Sequence, residues 1–164
     1  MGVDSVGVLT EATRRKITAM LANYDDSRSA ALPALAAAQK QIGYLPDEAM
    51  AEVADILELP RSEVGAVAHF YTMFYKHPVG EHVITLCATL SCALLGSERL
   101  VEYLSRTLKI KVGETTEDRK FTLMETECLG ACSEAPVMML DDKYYGNLTE
   151  EKLDEILRGL GWNG

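Results

Sequence analysis

The spacing of hydrophobic residues changes near Pro78-Val79-Gly80. Before that point apolar side chains recur every three or four residues, as on one face of an α-helix. The pattern predicts four short helices: one capped by Thr10, one from about Ser29 to Ile42, one that follows Pro46 and stops at Pro60, and one from about Ser62. Each helix has only a narrow apolar stripe, so residues 1–78 are expected to form a small helical bundle.

Residues 79–164 carry a mixed pattern. β-Branched residues predict a strand over 82–87, and alternation predicts a second strand over 121–126. Between them lie a helix with Leu94, Leu95 and Leu100 among its apolar positions and a polar loop over 111–120. Strands at 137–140 and 144–145 and a closing helix capped by Thr149 complete the region. We expect an α/β domain with a small mixed sheet, which makes the whole chain an α+β protein.

Composition and charge exclude several classes of function. The 164 residues carry a formal net charge of −9, which disfavours binding to nucleic acid and to anionic lipid. The sequence contains no apolar stretch of transmembrane length and no secretory leader. A cytoplasmic location without direct membrane insertion is therefore expected. Four cysteines in such a chain favour metal ligands or redox groups over disulfides.

All four cysteines follow predicted strands. Cys87 and Cys92 form Cys-x4-Cys after the first strand, and Cys128 and Cys132 form Cys-x3-Cys after the second. Neighbouring strand ends present such loops to one small volume, as a [2Fe–2S] cluster requires. We expect each pair to hold one iron. Thr89 and Ser91 would offer hydroxyl donors to the sulfurs, and Gly130 would allow a tight turn beside them.

Three other interpretations stay open on spacing alone. Structural zinc and thioredoxin-type dithiols usually use Cys-x2-Cys, which is absent here. Four unrelated buried cysteines are also compatible with the composition, although that hypothesis does not explain why all four fall in two loops. His69, His77 and His82 are alternative iron ligands, but four cysteines already suffice.

A longer series of motifs resembles a known family. These motifs are Phe70-Tyr71-Thr72-Met73-Phe74, Pro78-Val79-Gly80, the two cysteine pairs with Glu127 before the second, and Ala135-Pro136-Val137. Together they resemble the thioredoxin-like [2Fe–2S] ferredoxin subunit of NADH:quinone oxidoreductase, respiratory complex I. His69 departs from the small hydroxyl residue or alanine expected before Phe70.

The resemblance implies a fold, a cofactor and partners. It implies that Cys87, Cys92, Cys128 and Cys132 all bind one [2Fe–2S] cluster in a thioredoxin-like second domain. It further implies docking to a flavoprotein subunit that holds FMN and oxidises NADH, beside a larger iron–sulfur subunit. The same family serves NAD-linked or electron-bifurcating hydrogenases and NAD-dependent formate dehydrogenases, which remain the alternative assemblies. A zinc-stabilised interaction module is the alternative from another class.

The chain lacks the motifs of a catalyst that transforms a substrate. No Ser/His/Asp set, phosphate-binding loop or dinucleotide-binding glycine motif is present, so neither NADH nor FMN is expected to bind here. Any enzymatic activity is expected to belong to the assembly. Pro136 occupies the place where thioredoxin-like folds have a cis-proline, although the trans isomer is the default from base rates.

Overall fold

The computed structural model describes residues 7–162, which divide into two compact units between Pro78 and Val79. The first unit is helical and the second contains the whole β-sheet. Each unit has a hydrophobic core of its own.

Within residues 7–78, the described part of the first unit, there are four α-helices: α1 (Glu11–Leu21), α2 (Ala31–Ile42), α3 (Asp47–Leu57) and α4 (Arg61–Phe70). Thr10 caps α1 as predicted, because its hydroxyl accepts the backbone N–H of Thr13 at 3.3 Å. The second helix begins later than predicted. Residues Ser27–Ala30 form a 3₁₀ turn, started by the Asp26 carboxylate accepting the N–H of Arg28.

Apolar stripes of all four helices meet in the first core. Ile17, Leu35 and Val53 are fully buried there. Small residues are common on α2, where Ala34 and Ala38 have no exposed surface. Such short side chains let the helices approach closely.

The second unit is built on a four-stranded mixed sheet. Its strands are β1 (His82–Cys87), β2 (Phe121–Thr126), β3 (Met138–Leu140) and β4 (Lys143–Tyr145), in the spatial order β2-β1-β3-β4. The β1–β2 pair is parallel, with Cys87 opposite Thr126, whereas β3 is antiparallel to both β1 and β4. The predicted strands and the mixed sheet are confirmed.

Three helices accompany this sheet: α5 (Leu90–Leu94), α6 (Ser97–Leu108) and α7 (Glu150–Gly159). Thr149 caps α7 as predicted by accepting the N–H of Lys152 at 3.2 Å. The single helix predicted after β1 is instead two helices. Gly96 separates them because it has φ 93°, a left-handed conformation in which an α-helix does not continue.

The second core lies between the sheet and helices α6 and α7. Leu104 of α6, Phe121 and Leu123 of β2, and Leu153 and Leu157 of α7 are almost completely buried in it. Ile84 and Leu86 of β1 lie in the same core, whereas the last three residues of β2 are exposed or half-buried. The cysteine loops start from the carboxyl ends of these two strands.

The Ala135–Pro136 peptide bond is cis. The sequence left the isomer of this bond open, with trans as the default from base rates. The preference of X–Pro bonds for trans is small, so the surrounding fold can select either isomer. Both residues of this bond are buried, and Val137 separates them from β3.

Among the described residues, no helix combines the length and apolar character needed to cross a membrane.

Candidate metal centre

The four cysteines lie at one edge of the sheet. Cys87 is the last residue of β1 and Cys92 lies within α5, whereas Cys128 follows the end of β2 and Cys132 begins a 3₁₀ turn, Cys132–Glu134. Because β1 and β2 are parallel neighbours, their loops leave the sheet side by side. The backbone N–H of Ala88 donates to the carbonyl of Thr126 at 2.8 Å, which joins the two loops at their start.

Cys87 and Cys92 form a buried pair. Their relative exposures are 3 % and 2 %, and they pack with Ala135 and Val137 in a small apolar cluster. The Cys87 thiol donates to the carbonyl of Glu127 at 3.0 Å, and its Sγ lies 3.2 Å from Thr89 Oγ1. Thr89 Oγ1 also donates to the same carbonyl at 2.9 Å. Polar groups from both cysteine loops therefore contact Cys87 Sγ.

The environment favours a thiolate at Cys87. Burial raises its pKa, but hydrogen bonds from the Thr89 hydroxyl and the backbone N–H groups of Leu129 and Thr89 outweigh burial and lower the pKa to about 7. Burial raises the pKa of Cys92, and the neighbouring Cys87 raises it further. The thiolate is the form that binds metals. Cys87 therefore reaches the metal-binding form at a lower pH than Cys92 does.

Cys128 and Cys132 form an exposed pair. The Gly130 N–H donates to Cys128 Sγ at 3.3 Å. Gly130 has φ 75°, and no protein atom lies within 4 Å of the position that a Cβ would take there. A left-handed turn, rather than a close approach of another group, therefore explains the glycine.

The chemistry of the donor set fits an iron–sulfur cluster, although the thiols are not gathered around one point. All four cysteines are free, and soft thiolates are the usual ligands of such clusters. Cys87 and Cys92 are in contact. The negative charge of a Cys132 thiolate raises the pKa of Cys92, which indicates that the two loops lie near each other. In the part of the chain that the structure describes, no three Cys, His, Asp or Glu side chains form a group that could hold a metal ion.

The histidines considered in the sequence have other contacts. His82 begins β1, at the end opposite Cys87, and its Nδ1 lies 3.0 Å from Asp141 Oδ2. His69 Nδ1 lies 2.8 Å from the carbonyl of Gly65 in the same helix. His69 is exposed at the end of α4.

Comparison with known proteins decides the family. The family pattern described as thioredoxin-like [2Fe–2S] ferredoxin matches residues 17–161. This chain belongs to the thioredoxin-like [2Fe–2S] ferredoxin family. The resemblance noted in the sequence is thus confirmed, and the cluster is the group that this family is named for.

Two curated relatives of this ferredoxin family are similar over nearly their whole length, and both are named as subunits of NADH-quinone oxidoreductase. The relative from Rhizobium meliloti (strain 1021) is 49% identical over 147 residues, which are 90% of this chain and 88% of the relative. The relative from Escherichia coli (strain K12) is 41% identical over 149 residues, which are 91% of this chain and 90% of the relative.

A solved structure contains the same fold as part of a larger chain. The NAD⁺-reducing [NiFe]-hydrogenase in its H₂-reduced state superposes with a TM-score of 0.68 at 24% identity. The match covers 79% of this chain and 22% of the hydrogenase chain, so this chain spans about a fifth of that length. At this identity the likeness concerns the fold, and it supports the predicted arrangement of helices and a small mixed sheet.

Proposed function

We propose that this protein is the electron-transfer subunit of an NADH:quinone oxidoreductase. It would carry one [2Fe–2S] cluster on Cys87, Cys92, Cys128 and Cys132 and exchange single electrons with FMN in a partner flavoprotein subunit. No residue of this chain is assigned to the chemistry of NADH, which belongs to the partner. The larger iron–sulfur subunit of the same assembly is the second proposed neighbour.

The placement of the cysteine loops is the observation that carries the cluster assignment. Parallel pairing of β1 and β2 brings two loops with two thiols each to one edge of the sheet. The assembly is supported by the 41–49% identity to proteins named as subunits of NADH-quinone oxidoreductase. When bound, a [2Fe–2S] cluster supplies reversible one-electron chemistry at a potential that its surroundings tune.

The residues around the sulfurs have distinct proposed roles. The N–H of Gly130 donates to Cys128 Sγ, and the Thr89 hydroxyl, which lies 3.2 Å from Cys87 Sγ, would donate to that sulfur in its thiolate form. Hydrogen bonds of this kind stabilise negative charge on sulfur. Ala135 and Val137 keep water from Cys87 and Cys92. The first pair would thus face the protein interior and the second pair the solvent or a partner.

The proposed location is cytoplasmic, at the membrane face through the assembly. The negative net charge of −9 disfavours direct attraction to anionic lipid, so contact with the membrane would be made by other subunits. Co-purification of the chain with membrane vesicles, and its release together with the flavoprotein subunit in high salt, is the expected behaviour.

Metal and sulfide analysis of the purified protein tests the cluster. We expect about two irons and two acid-labile sulfides per chain, as the cluster formula requires, and a visible absorption band that bleaches on reduction. One zinc per chain without colour would instead identify the zinc-stabilised interaction module and overturn the proposal.

The assembly is tested separately. The chain is purified from its native source through an affinity tag, and the co-purifying subunits are identified by mass spectrometry. Membrane-arm subunits of a quinone reductase support the proposal. A hydrogenase or formate dehydrogenase subunit in their place would assign the chain to an alternative assembly while leaving the cluster intact.

A further inference from the structure

The connection between β4 and α7 lies against the chain that follows the second cysteine pair. We name residues 146–148 of this connection the strap. The backbone N–H of Asn147 donates to the carbonyl of Glu134 at 2.5 Å. The backbone N–H of Leu148 donates to the carbonyl of Pro136 at 3.1 Å. Two backbone hydrogen bonds therefore join the strap to the segment that leads from the cysteines into β3.

A glycine occupies the point where the strap comes closest to that segment. Gly146 is buried, and a Cβ placed on it would clash with Glu134 Cβ and lie 2.8 Å from the Glu134 carbonyl oxygen. Any larger residue would therefore push the strap and Glu134 apart. Unlike Gly130, Gly146 does not have a positive φ. Close approach of the two segments, rather than turn geometry, thus explains the glycine at this position.

Lys152 ties the strap to helix α7. Its Nζ reaches back from the first turn of the helix and donates to the carbonyl of Gly146 at 2.6 Å, and the residue is half-buried. The backbone N–H of Lys152 donates to the hydroxyl of the Thr149 cap at 3.2 Å. The same helix is anchored in the second core through Leu153 and Leu157. The strap is therefore attached to a helix that is itself held by the core.

Cys132 is held mainly through the turn that it begins. The residue is exposed, whereas Cys87 and Cys92 are packed in an apolar cluster. Glu134 is the last residue of the 3₁₀ turn that starts at Cys132. Within the described residues, the two bonds to the strap are the only backbone hydrogen bonds from residues 132–136 to a more distant part of the chain. The strap therefore controls where this turn lies.

We propose that Gly146 and Lys152 are positioning residues for Cys132, and that the strap fixes the place at which this cysteine presents its sulfur to the cluster. This inference rests on the function proposed above, because it requires Cys132 to be a ligand. The Lys152 ammonium holds the carbonyl of Gly146. The missing side chain at Gly146 lets the N–H of Asn147 reach the carbonyl of Glu134, two residues after the ligand. Groups that orient a metal ligand in this way tune its affinity for the metal.

The test compares four variants of the cluster-loaded full-length chain. Gly146→Ala pushes the strap away from Glu134. Its control, Gly159→Ala, makes the same change where no atom outside the backbone of its own helix lies within 4 Å of the new Cβ. Lys152→Met removes the hydrogen bond to the strap without a clash, and its control, Lys143→Met, removes an exposed lysine from β4. Iron content, the electron paramagnetic resonance spectrum of the reduced cluster and the rate of iron release to a chelator are measured for each variant.

We expect Gly146→Ala to release iron about tenfold faster than the wild type, because loss of a group that orients a metal ligand commonly lowers metal affinity by that factor. Lys152→Met should change the release rate in the same direction by a smaller factor. Both variants should shift the g values of the reduced cluster, since one ligand sulfur moves. A loss of stability alone would not shift the g values of the molecules that stay folded. Gly159→Ala and Lys143→Met should retain the wild-type spectrum and release rate.

Three results would overturn the inference, and they are distinguishable. Wild-type g values in both Gly146→Ala and Lys152→Met would show that the strap only supports the fold; if Gly146→Ala does not fold, Lys152→Met alone decides. An equal shift of the g values in Gly159→Ala or Lys143→Met would show that the spectrum does not report on the strap. A wild-type chain that contains zinc and no cluster would contradict the proposed function itself, and the inference would fail with it.

Discussion

The two cysteine loops leave the same edge of the sheet, yet their environments differ. The first loop coils into α5 and buries Cys87 and Cys92 among apolar residues. The second makes a left-handed turn at Gly130 and leaves Cys128 and Cys132 exposed. The same residue type thus has two tasks. The first pair belongs to the folded interior, whereas the second lies at the surface of the protein.

The largest effect is expected when a proposed cysteine ligand of the cluster is replaced. Cys92→Ser and Cys128→Ser should each abolish stoichiometric cluster binding, since a neutral hydroxyl replaces a thiolate ligand. Iron and sulfide analysis after anaerobic purification measures this, with Ser133→Ala as the control in the second loop. Full cluster content in Cys128→Ser would show that the exposed pair is not part of the ligand set.

The next largest effect is a difference in stability between apoprotein variants of the two loops. Cys92→Ser should lower the free energy of unfolding by about 1–3 kcal/mol, because it places a hydroxyl in a buried apolar cluster. Cys128→Ser should change it by less than about 0.5 kcal/mol, because the side chain is exposed. Urea denaturation of the cluster-free variants measures both values. An equal decrease in the free energy of unfolding for Cys92→Ser and Cys128→Ser would contradict the difference in burial between the two pairs.

A third comparison uses one glycine from each loop. Gly96 and Gly130 both have positive φ, and neither has a protein atom within 4 Å of a built Cβ. Gly96→Ala and Gly130→Ala should therefore each cost about 1–2 kcal/mol through backbone strain alone. Gly65→Ala, at a helical position with the same free space, should not destabilise the protein. Chemical denaturation of the apoproteins checks the three variants.

The smallest expected effect concerns the hydrogen bonds at Cys87. Thr89→Val removes the hydroxyl beside Cys87 Sγ and its bond to the carbonyl of Glu127, which should cost about 0.5–1.5 kcal/mol in the apoprotein. In the cluster-loaded protein the reduction potential should fall, since one donor to sulfur is lost. Redox titration beside Ser133→Ala, the control used above, shows whether the effect belongs to position 89. A potential that rises would contradict the proposed donor role.

Local signals in the sequence predicted much of the fold. Thr10 and Thr149 cap helices through their hydroxyls, and such caps depend on neighbouring residues only. The β-branched residues of β1 and the alternation in β2 placed both strands, and through them the edge where the cysteines lie. The family resemblance added the cluster, which spacing alone left open.

Other features depended on tertiary structure. Leu94 and Leu95 appear in the sequence as part of one helical stripe with Leu100, although they are exposed and Gly96 separates the two helices. Hydrophobicity does not reveal whether a leucine contacts the chain itself or another protein. Likewise, the cis bond before Pro136 and the unequal burial of the four cysteines arise from packing around them.

The parallel pairing of β1 and β2 also constrains the order of maturation. Cys87 and Cys128 become neighbours only after the chain has passed through α5 and α6 and returned to add β2 beside β1. Contacts so distant along the chain carry a large loop-closure cost, which slows their formation. Cofactor insertion is therefore expected to follow closure of this strand pair, and any group that bridges the two loops then stabilises the closed sheet over its open precursor.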